Sequence, residues 1–265
     1  MKIVVCVKQV PEITEVKVDP QTGVLIREGV PSILNPFCEY ALDHALRLKE
    51  AAGEVTITAL TMGPPQAEAV LLRALELGAD RAVLISDRKF AGADTWATAL
   101  TLAAAVRLSE PDFDLILVGK QAIDGDTAQV GPEMAEILGL PQVMYGVEVE
   151  ATAKGRRIRV KREMEAGYQV VEARLPALVS ASKGEIIRRL PSMAQVLAAR
   201  GKPIQQVSAA DLDLDDDQLG LEGSFTQVVK VFPPAGKQGG RLINEPDPVR
   251  AAARAADWLQ EKDFI

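Results

Sequence analysis

The sequence has one histidine, two cysteines, no excess of basic residues and no apolar run of membrane-spanning length. Each absence removes a class of chemistry. A single imidazole, His44, excludes multi-histidine metal sites, and any Ser-His-Asp relay would have to be built on it. His44 falls in a helical pattern beside Leu42 and Leu46 and reads as a helix-surface histidine. Cys6 and Cys38 cannot make a zinc cluster alone, and they imply no disulfide framework. With 30 Lys and Arg against 37 Asp and Glu, net −7, the chain lacks the basic surface that nucleic acid demands of a main partner. The basic exception, Lys154 to Arg162, alternates in the manner of the solvated face of a hairpin. The apolar run Ile3-Val4-Val5-Cys6-Val7 is too short to cross a bilayer and carries no small-residue cleavage signal. The expectation is a soluble, cytoplasmic protein without membrane insertion.

What is present is enough for a large core: 265 residues, 48% hydrophobic and 25% charged, fitting one large domain or one domain plus an extension. Strand-like and helix-like segments alternate through the first half. Residues 2–7 read as a buried strand, and 15–27 as two short strands around the turn Asp19-Pro20-Gln21-Thr22-Gly23. Asn35-Pro36 opens a helix, Asn as its cap and Pro at its first position, with Phe37, Ala41, Ala45 and Leu48 on one face. Strands follow at 54–61, 82–86 and 113–118. Helices follow from Gly63-Pro64-Pro65 to Gly78, from Asp94 to Leu108, and from Thr127 to Leu138. This alternation predicts a doubly wound α/β fold, its sheet mainly parallel with helices on both faces. Ligands in such sheets sit beyond the carboxyl ends of the strands, which singles out the loops after Val7, Thr61, Asp87 and Val118.

The second half changes character. Residues 142–182 read as antiparallel strands with turns at Lys154-Gly155 and Ala166-Gly167, and 192–200 as a short helix. The acidic run from Asp211 to Asp217 resists burial, Pro233-Pro234-Ala235-Gly236 marks a linker, and a helix from Pro246 to Glu261 ends the chain. The division expected is a nucleotide-binding α/β domain over 1–183 and a partner-binding extension over 184–265.

One loop carries most of the chemistry. Gly119-Lys120-Gln121-Ala122-Ile123-Asp124-Gly125-Asp126-Thr127-Ala128-Gln129-Val130 follows the most apolar strand and leads into a helix. Gly119 and Gly125 allow close backbone approach to a ligand. The amides of Thr127, Ala128 and Gln129 at a helix start form an anion site, with Asp126 as the helix cap. Asp124 and Asp126 are expected to turn toward backbone amides or ribose hydroxyls, since paired carboxylates repel a phosphate. Neither a Walker loop nor Gly-x-Gly-x-x-Gly after the first strand is present, so the residues alone indicate an anion or nucleotide site and no more.

The same loop, together with Val7-Lys8-Gln9-Val10-Pro11, Asn35-Pro36-Phe37-Cys38, Met62-Gly63-Pro64 and Gly78-Ala79-Asp80 in this order, resembles the β subunit of electron-transfer flavoproteins across most of the chain. The resemblance implies an adenine-nucleotide-binding fold (α-hydrolase-like), a heterodimer with an FAD-bearing α subunit, and electron passage between dehydrogenases and other oxidoreductase acceptors. It places the pocket at Cys6, Asn35, Pro36, Phe37, Cys38 and Met62, with the loop from Gly119 to Val130. The ordinary branch holds AMP there. The electron-bifurcating branch holds a second FAD that takes hydride from NADH. Asp124-Gly125-Asp126-Thr127 and Ser86-Asp87-Arg88-Lys89-Phe90 through Thr98 are similar to the bifurcating branch, and Asn35-Pro36-Phe37-Cys38 to the ordinary one. The reading favours FAD, with AMP as the alternative. Where the family carries Asn-Glu-Pro-Arg-Tyr before its partner loop, this chain has Lys183-Gly184-Glu185-Ile186-Ile187-Arg188-Arg189-Leu190-Pro191. There Leu190 and Met193 are candidate anchors, and Arg188 and Arg189 candidate steering charges. No side chain need act as acid or base, since a flavin carries its own chemistry. Two rival readings are a stand-alone ATP-binding regulator of the universal-stress type and a nucleotidyl-transferring enzyme.

Overall fold

The computed structural model describes residues 1–12, 31–152, 156–185, 189–229 and 241–265. The chain divides into two compact units. The larger holds all the described strands; the described part of the smaller is 241–265. The strands expected over 15–27 and the turn at Lys154-Gly155 lie outside the described residues.

The elements of the larger unit run β1 (Lys2–Cys6), β2 (Gln9–Pro11), β3 (Ser32–Leu34), α1 (Pro36–Ala52), β4 (Thr56–Met62), α2 (Glu68–Leu77), β5 (Arg81–Ile85), α3 (Thr95–Ser109), β6 (Leu115–Gly119), α4 (Val130–Leu138), β7 (Gln142–Ala151), β8 (Arg157–Met164), β9 (Gly167–Arg174), β10 (Ala177–Ala181), α5 (Met193–Arg200) and β11 (Ile204–Val207). The main sheet has the order β11-β5-β4-β1-β6-β10-β7-β8-β9. Every pair from β11 to β7 is parallel, and only β7–β8 and β8–β9 are antiparallel. A small antiparallel ladder joins β2 to β3.

Both faces of the sheet are covered, which is why the strands read as unbroken apolar runs. Ile3 and Val5 of β1 and Leu115 and Leu117 of β6 join Leu42 of α1 and Leu71 of α2 in one core. Val4, Ile116 and Val118 point the other way, to Leu102 of α3 and Met134 of α4. The helix starts follow local chemistry. Asp94 accepts from the Ala97 amide at 3.0 Å to cap α3, and Ser192 with Gln195 forms a capping box on α5.

The structure corrects two expectations and extends the sheet. The region 142–182 is not wholly antiparallel: β10 returns to the middle of the sheet and pairs in parallel with β6 and β7. The sheet also continues past residue 183, because β11 adds to β5 beyond it; the larger unit runs to Val229. His44 is buried rather than on the surface, since α1 is covered on a second flank by β7, whose Gly146 backbone it meets. In the smaller unit, Asp247 caps α6 (Pro248–Glu261) through the Val249 amide at 2.9 Å, and no residue of α6 is buried. Among the described residues no helix is long and apolar enough to cross a membrane.

Candidate functional site

The strand order fixes where the site lies. From β1 the chain moves outward to β4 and β5, then returns to place β6 on the other side of β1. The loops leaving β1 and β6 therefore diverge and open a crevice at the carboxyl edge of the sheet. The loop after Val118 borders it on one side, and Val7 and Lys8 on the other.

Gly119 ends β6 against the start of α1. A Cβ at this position would lie 2.8 Å from the Phe37 carbonyl carbon and 2.9 Å from the Cys38 amide nitrogen, so only glycine lets the two segments touch. Pro36 stands at the first turn of α1 as expected, and Phe37 is half-buried. Asn35 does not cap that helix with its side chain. Its amide nitrogen donates to the Gln121 carbonyl at 2.9 Å, and its side-chain oxygen accepts from the Ile123 amide at 3.1 Å. Beyond Ile123 the loop tightens, with the Asp126 amide donating to the Ala122 carbonyl at 2.8 Å.

The two carboxylates take side-chain partners, contrary to expectation. Asp124 pairs with Lys8 at 2.8 Å across the crevice, and Asp126 accepts from the Gln121 side-chain amide. Asp126 therefore caps no helix. Its φ of 55° and that of Ala128, also 55°, keep the backbone out of helical geometry, and α4 begins only at Val130, with Gln129 in the cap position. The amides of Thr127, Ala128 and Gln129 thus belong to the loop before the helix. They have no hydrogen-bond partner among the described residues. A left-handed residue followed by a right-handed one, as at Ala128 and Gln129, turns successive amides to one side, the arrangement that binds anions. Gly125 is open: a Cβ there would meet nothing within 4 Å.

Within the loop, the Lys120 amide donates to the Ala181 carbonyl at 2.8 Å and its ammonium lies 5.0 Å from the Tyr145 ring centroid; Met62 is half-buried at the end of β4, on the other side of β1. Tyr145 has φ 66° within the register shift between Val143 and Gly146, which marks a bulge where β7 leaves β10 and takes up β8. Beneath the crevice are the two thiols. Burial, with Cys38 nearby, pushes the Cys6 pKa up to about 12, and burial raises that of Cys38 as well. Neither is a nucleophile at neutral pH.

The structure brings together Asn35, Cys38 and the loop from Gly119 to Ile123. Sequence reasoning missed Lys8 and Tyr145. Lys8 was within reach, since the strand-end rule had named the loop after Val7. Tyr145 gave no signal, because a bulge has no residue signature when a tyrosine occupies it. Farther along the same edge, Asp87 accepts from the Lys89 and Ala209 amides, and Thr95 donates to Glu133 at 3.1 Å. Burial raises the Glu133 pKa.

The departing segment after Lys183 is tied to α1. Arg189 pairs with Asp43 at 2.8 Å and Glu50 at 2.5 Å, and Arg47 donates to the Glu185 carbonyl at 2.6 Å. Arg189 is thereby spent within the chain and does not serve as a free steering charge; Arg188 lies outside the described residues. Leu190 and Met193 are 88% and 73% exposed, so neither packs under its own chain.

A family model described as "Electron transfer flavoprotein domain" matches residues 22–212. The chain is 46% identical over 265 residues, covering all of both proteins, to the electron transfer flavoprotein subunit beta of Clostridium acetobutylicum. It is 44% identical, again over the whole of both, to the caffeyl-CoA reductase-Etf complex subunit CarD of Acetobacterium woodii. Protein FixA of Azorhizobium caulinodans is 46% identical over 243 residues, 89% of this chain and 86% of the relative.

Proposed function

The chain belongs to the electron transfer flavoprotein family, among its β subunits, and from that premise we propose that the crevice between β1 and β6 holds an adenine-nucleotide cofactor, FAD in preference to AMP. The observation that carries this reading is the row of amides at Thr127, Ala128 and Gln129, without partners among the described residues and on alternating backbone, beside the open position at Gly125. Three amides turned to one side fit a phosphate or diphosphate. The Thr127 hydroxyl and the Gln129 amide add donors to that anion or to a ribose. Lys8 offsets the charge of Asp124, and Gln121 holds Asp126 by a hydrogen bond, which lessens the repulsion a phosphate would meet there.

FAD bound here would supply hydride and single-electron chemistry. The chain's own part is to bind, orient and shield, with no side chain as acid or base. The sequence names of two relatives, an Etf complex subunit and FixA, support the bifurcating branch, in which this subunit would be the place of NADH oxidation. The partner is an FAD-bearing α subunit, with dehydrogenases and other oxidoreductases as redox partners. We assign contact with α to the chain after residue 183. Its exposed Leu190, Met193 and Leu197, and the α6 stripe of Ala251, Ala255, Trp258 and Leu259 on a helix with no buried residue, support that assignment. The setting is the cytoplasm. A stand-alone stress-type regulator is disfavoured by whole-length identity to β subunits.

The test is cofactor content. The chain is co-purified with its α partner, the complex is heat-denatured, and FAD and AMP are quantified in the supernatant. Two FAD and no AMP per heterodimer is the expected result. One FAD with one AMP would make this an ordinary shuttle, and a single FAD without AMP would remove the nucleotide from this subunit.

A further inference from the structure

The hydrogen bonds of Asn35 can be counted to completion. Its main-chain amide donates to the Lys8 carbonyl at 2.9 Å, and its carbonyl accepts from the amides of Cys38 at 2.8 Å and Glu39 at 3.2 Å. Its side-chain nitrogen gives one hydrogen to the Gln121 carbonyl at 2.9 Å and the other to the Cys38 sulfur at 3.3 Å. Its side-chain oxygen accepts from the Ile123 amide at 3.1 Å. An asparagine has three N–H hydrogens, and all three are used. The residue is 1% exposed, so its remaining lone pair faces no solvent-filled space.

Cys38 extends the arrangement. Its thiol sits at the exits of β1 and β6, where the Lys8 and Gly119 backbones act to lower its pKa against the effect of burial, and Gly119 packs directly on the Cys38 backbone. Where two parallel strands part, their outward amides lose each other as neighbours, and Cys38 sits at that parting of β1 and β6. Asn35 then joins this junction to the carbonyl of Gln121 and the amide of Ile123, two points on the loop that goes on to Thr127–Gln129.

We propose that Asn35, supported by Cys38, is a positioning residue that sets the shape of the loop from Gly119 to Val130 before any ligand arrives and gives no hydrogen bond to the ligand itself. The proposal rests on the reading that this loop holds the nucleotide. It alters the role that family resemblance implies for Asn35, from contact to support.

Asn35→Asp separates the alternatives because it keeps shape and the acceptor toward Ile123. It replaces the donor with an acceptor facing the Gln121 carbonyl. Protonation of the new carboxyl returns one donor, and burial beside a carbonyl favours that protonation above the ordinary carboxylate range. The full chain, stripped of nucleotide, is titrated with AMP and with FAD at pH 7.5 and 5.5, as wild type, N35D and N35A. Amide hydrogen exchange over 119–130 is followed in the ligand-free proteins. The expected result for N35D is about tenfold weaker binding of both nucleotides at pH 7.5. Loop exchange should be faster before ligand is added, and affinity should recover toward wild type at pH 5.5. N35A should stay weak at both pH values. Weaker binding with unchanged exchange in the ligand-free loop would make Asn35 a contact residue and overturn the proposal. Faster exchange throughout the sheet with wild-type affinity would overturn it too, leaving Asn35 a fold residue only. If N35A does not fold, the N35D comparison decides alone. A wild-type chain that binds neither nucleotide would bring down the reading of the site, an outcome distinct from the other two.

Discussion

The two ends of one parallel sheet are built differently. At the amino end the chain closes on itself with charge pairs over regular backbone. Glu110 is buried among the Thr58 hydroxyl at 2.8 Å, the Arg81 guanidinium and the Lys2 ammonium. Asp80 holds Lys49 at 2.6 Å and the Ile57 amide at 2.9 Å, and Asp114 takes the Lys2 amide and Arg156. At the carboxyl end the backbone is irregular, with left-handed φ at Asp126, Ala128 and Tyr145, and the Thr127, Ala128 and Gln129 amides have no partner among the described residues. The same strands end in satisfied groups on one side and oriented, unsatisfied ones on the other. The first arrangement stabilises; the second is where a ligand finds partners.

That contrast can be broken or sharpened by three measurements. The largest effect belongs to His44, on the helix that connects both ends. Burial lowers its pKa to about 4 from 6.5, and its Nε2 has no partner among the described residues, so the fold needs it neutral. Above pH 6.5 it is neutral folded or unfolded and has no effect. As pH falls through 6.5 the unfolded chain takes the proton first, and stability drops until the folded pKa is reached, by about 3 kcal/mol at pH 4. Urea unfolding of wild type and His44→Gln between pH 7 and pH 4 should show that extra slope only in the wild type. Equal slopes would mean that His44 does not couple the sheet to pH.

Next is Glu110→Ala, which leaves the Thr58 hydroxyl buried without its acceptor and should cost about 2 kcal/mol. Nucleotide affinity of the folded variant should be unchanged. A matching loss of affinity would show that the two ends are not independent. The smallest effect on stability is at Gly125, where added atoms meet open space. Gly125→Asn should leave unfolding within about 0.5 kcal/mol of wild type. It should weaken FAD retention about tenfold, roughly 1.4 kcal/mol, with AMP less affected. Equal loss of both nucleotides, or of neither, would remove Gly125 as the selector between them.

The contrast also explains which parts of the structure could be read from the sequence. The α/β alternation and the candidate loop were legible, because apolar runs, Asp94 and Ser192 act locally. Asn35-Pro36 has the local signature of a capped helix, yet the distant Gln121 and Ile123 outcompete the cap for the Asn35 side chain. The sequence pattern starts α4 at Thr127, three residues early, because nothing in Asp126 or Ala128 announces a left-handed φ. The parallel placement of β10 and the addition of β11 are set by long-range pairing, to which periodicity is blind. His44 lay on a face that a lone helix would expose, and only β7 covers it.

The two thiols beneath the crevice have a kinetic use. Burial pushes the Cys6 pKa up to about 12 and raises that of Cys38, and both thiols are buried. A thiol reagent added to the native chain must therefore wait for β1 and the start of α1 to come apart. These two are the only cysteines in the sequence, so labelling reports the opening of this junction. The unmodified protein thus carries its own clock for how often the floor of the crevice unfolds, and a bound nucleotide that holds the junction shut should slow it.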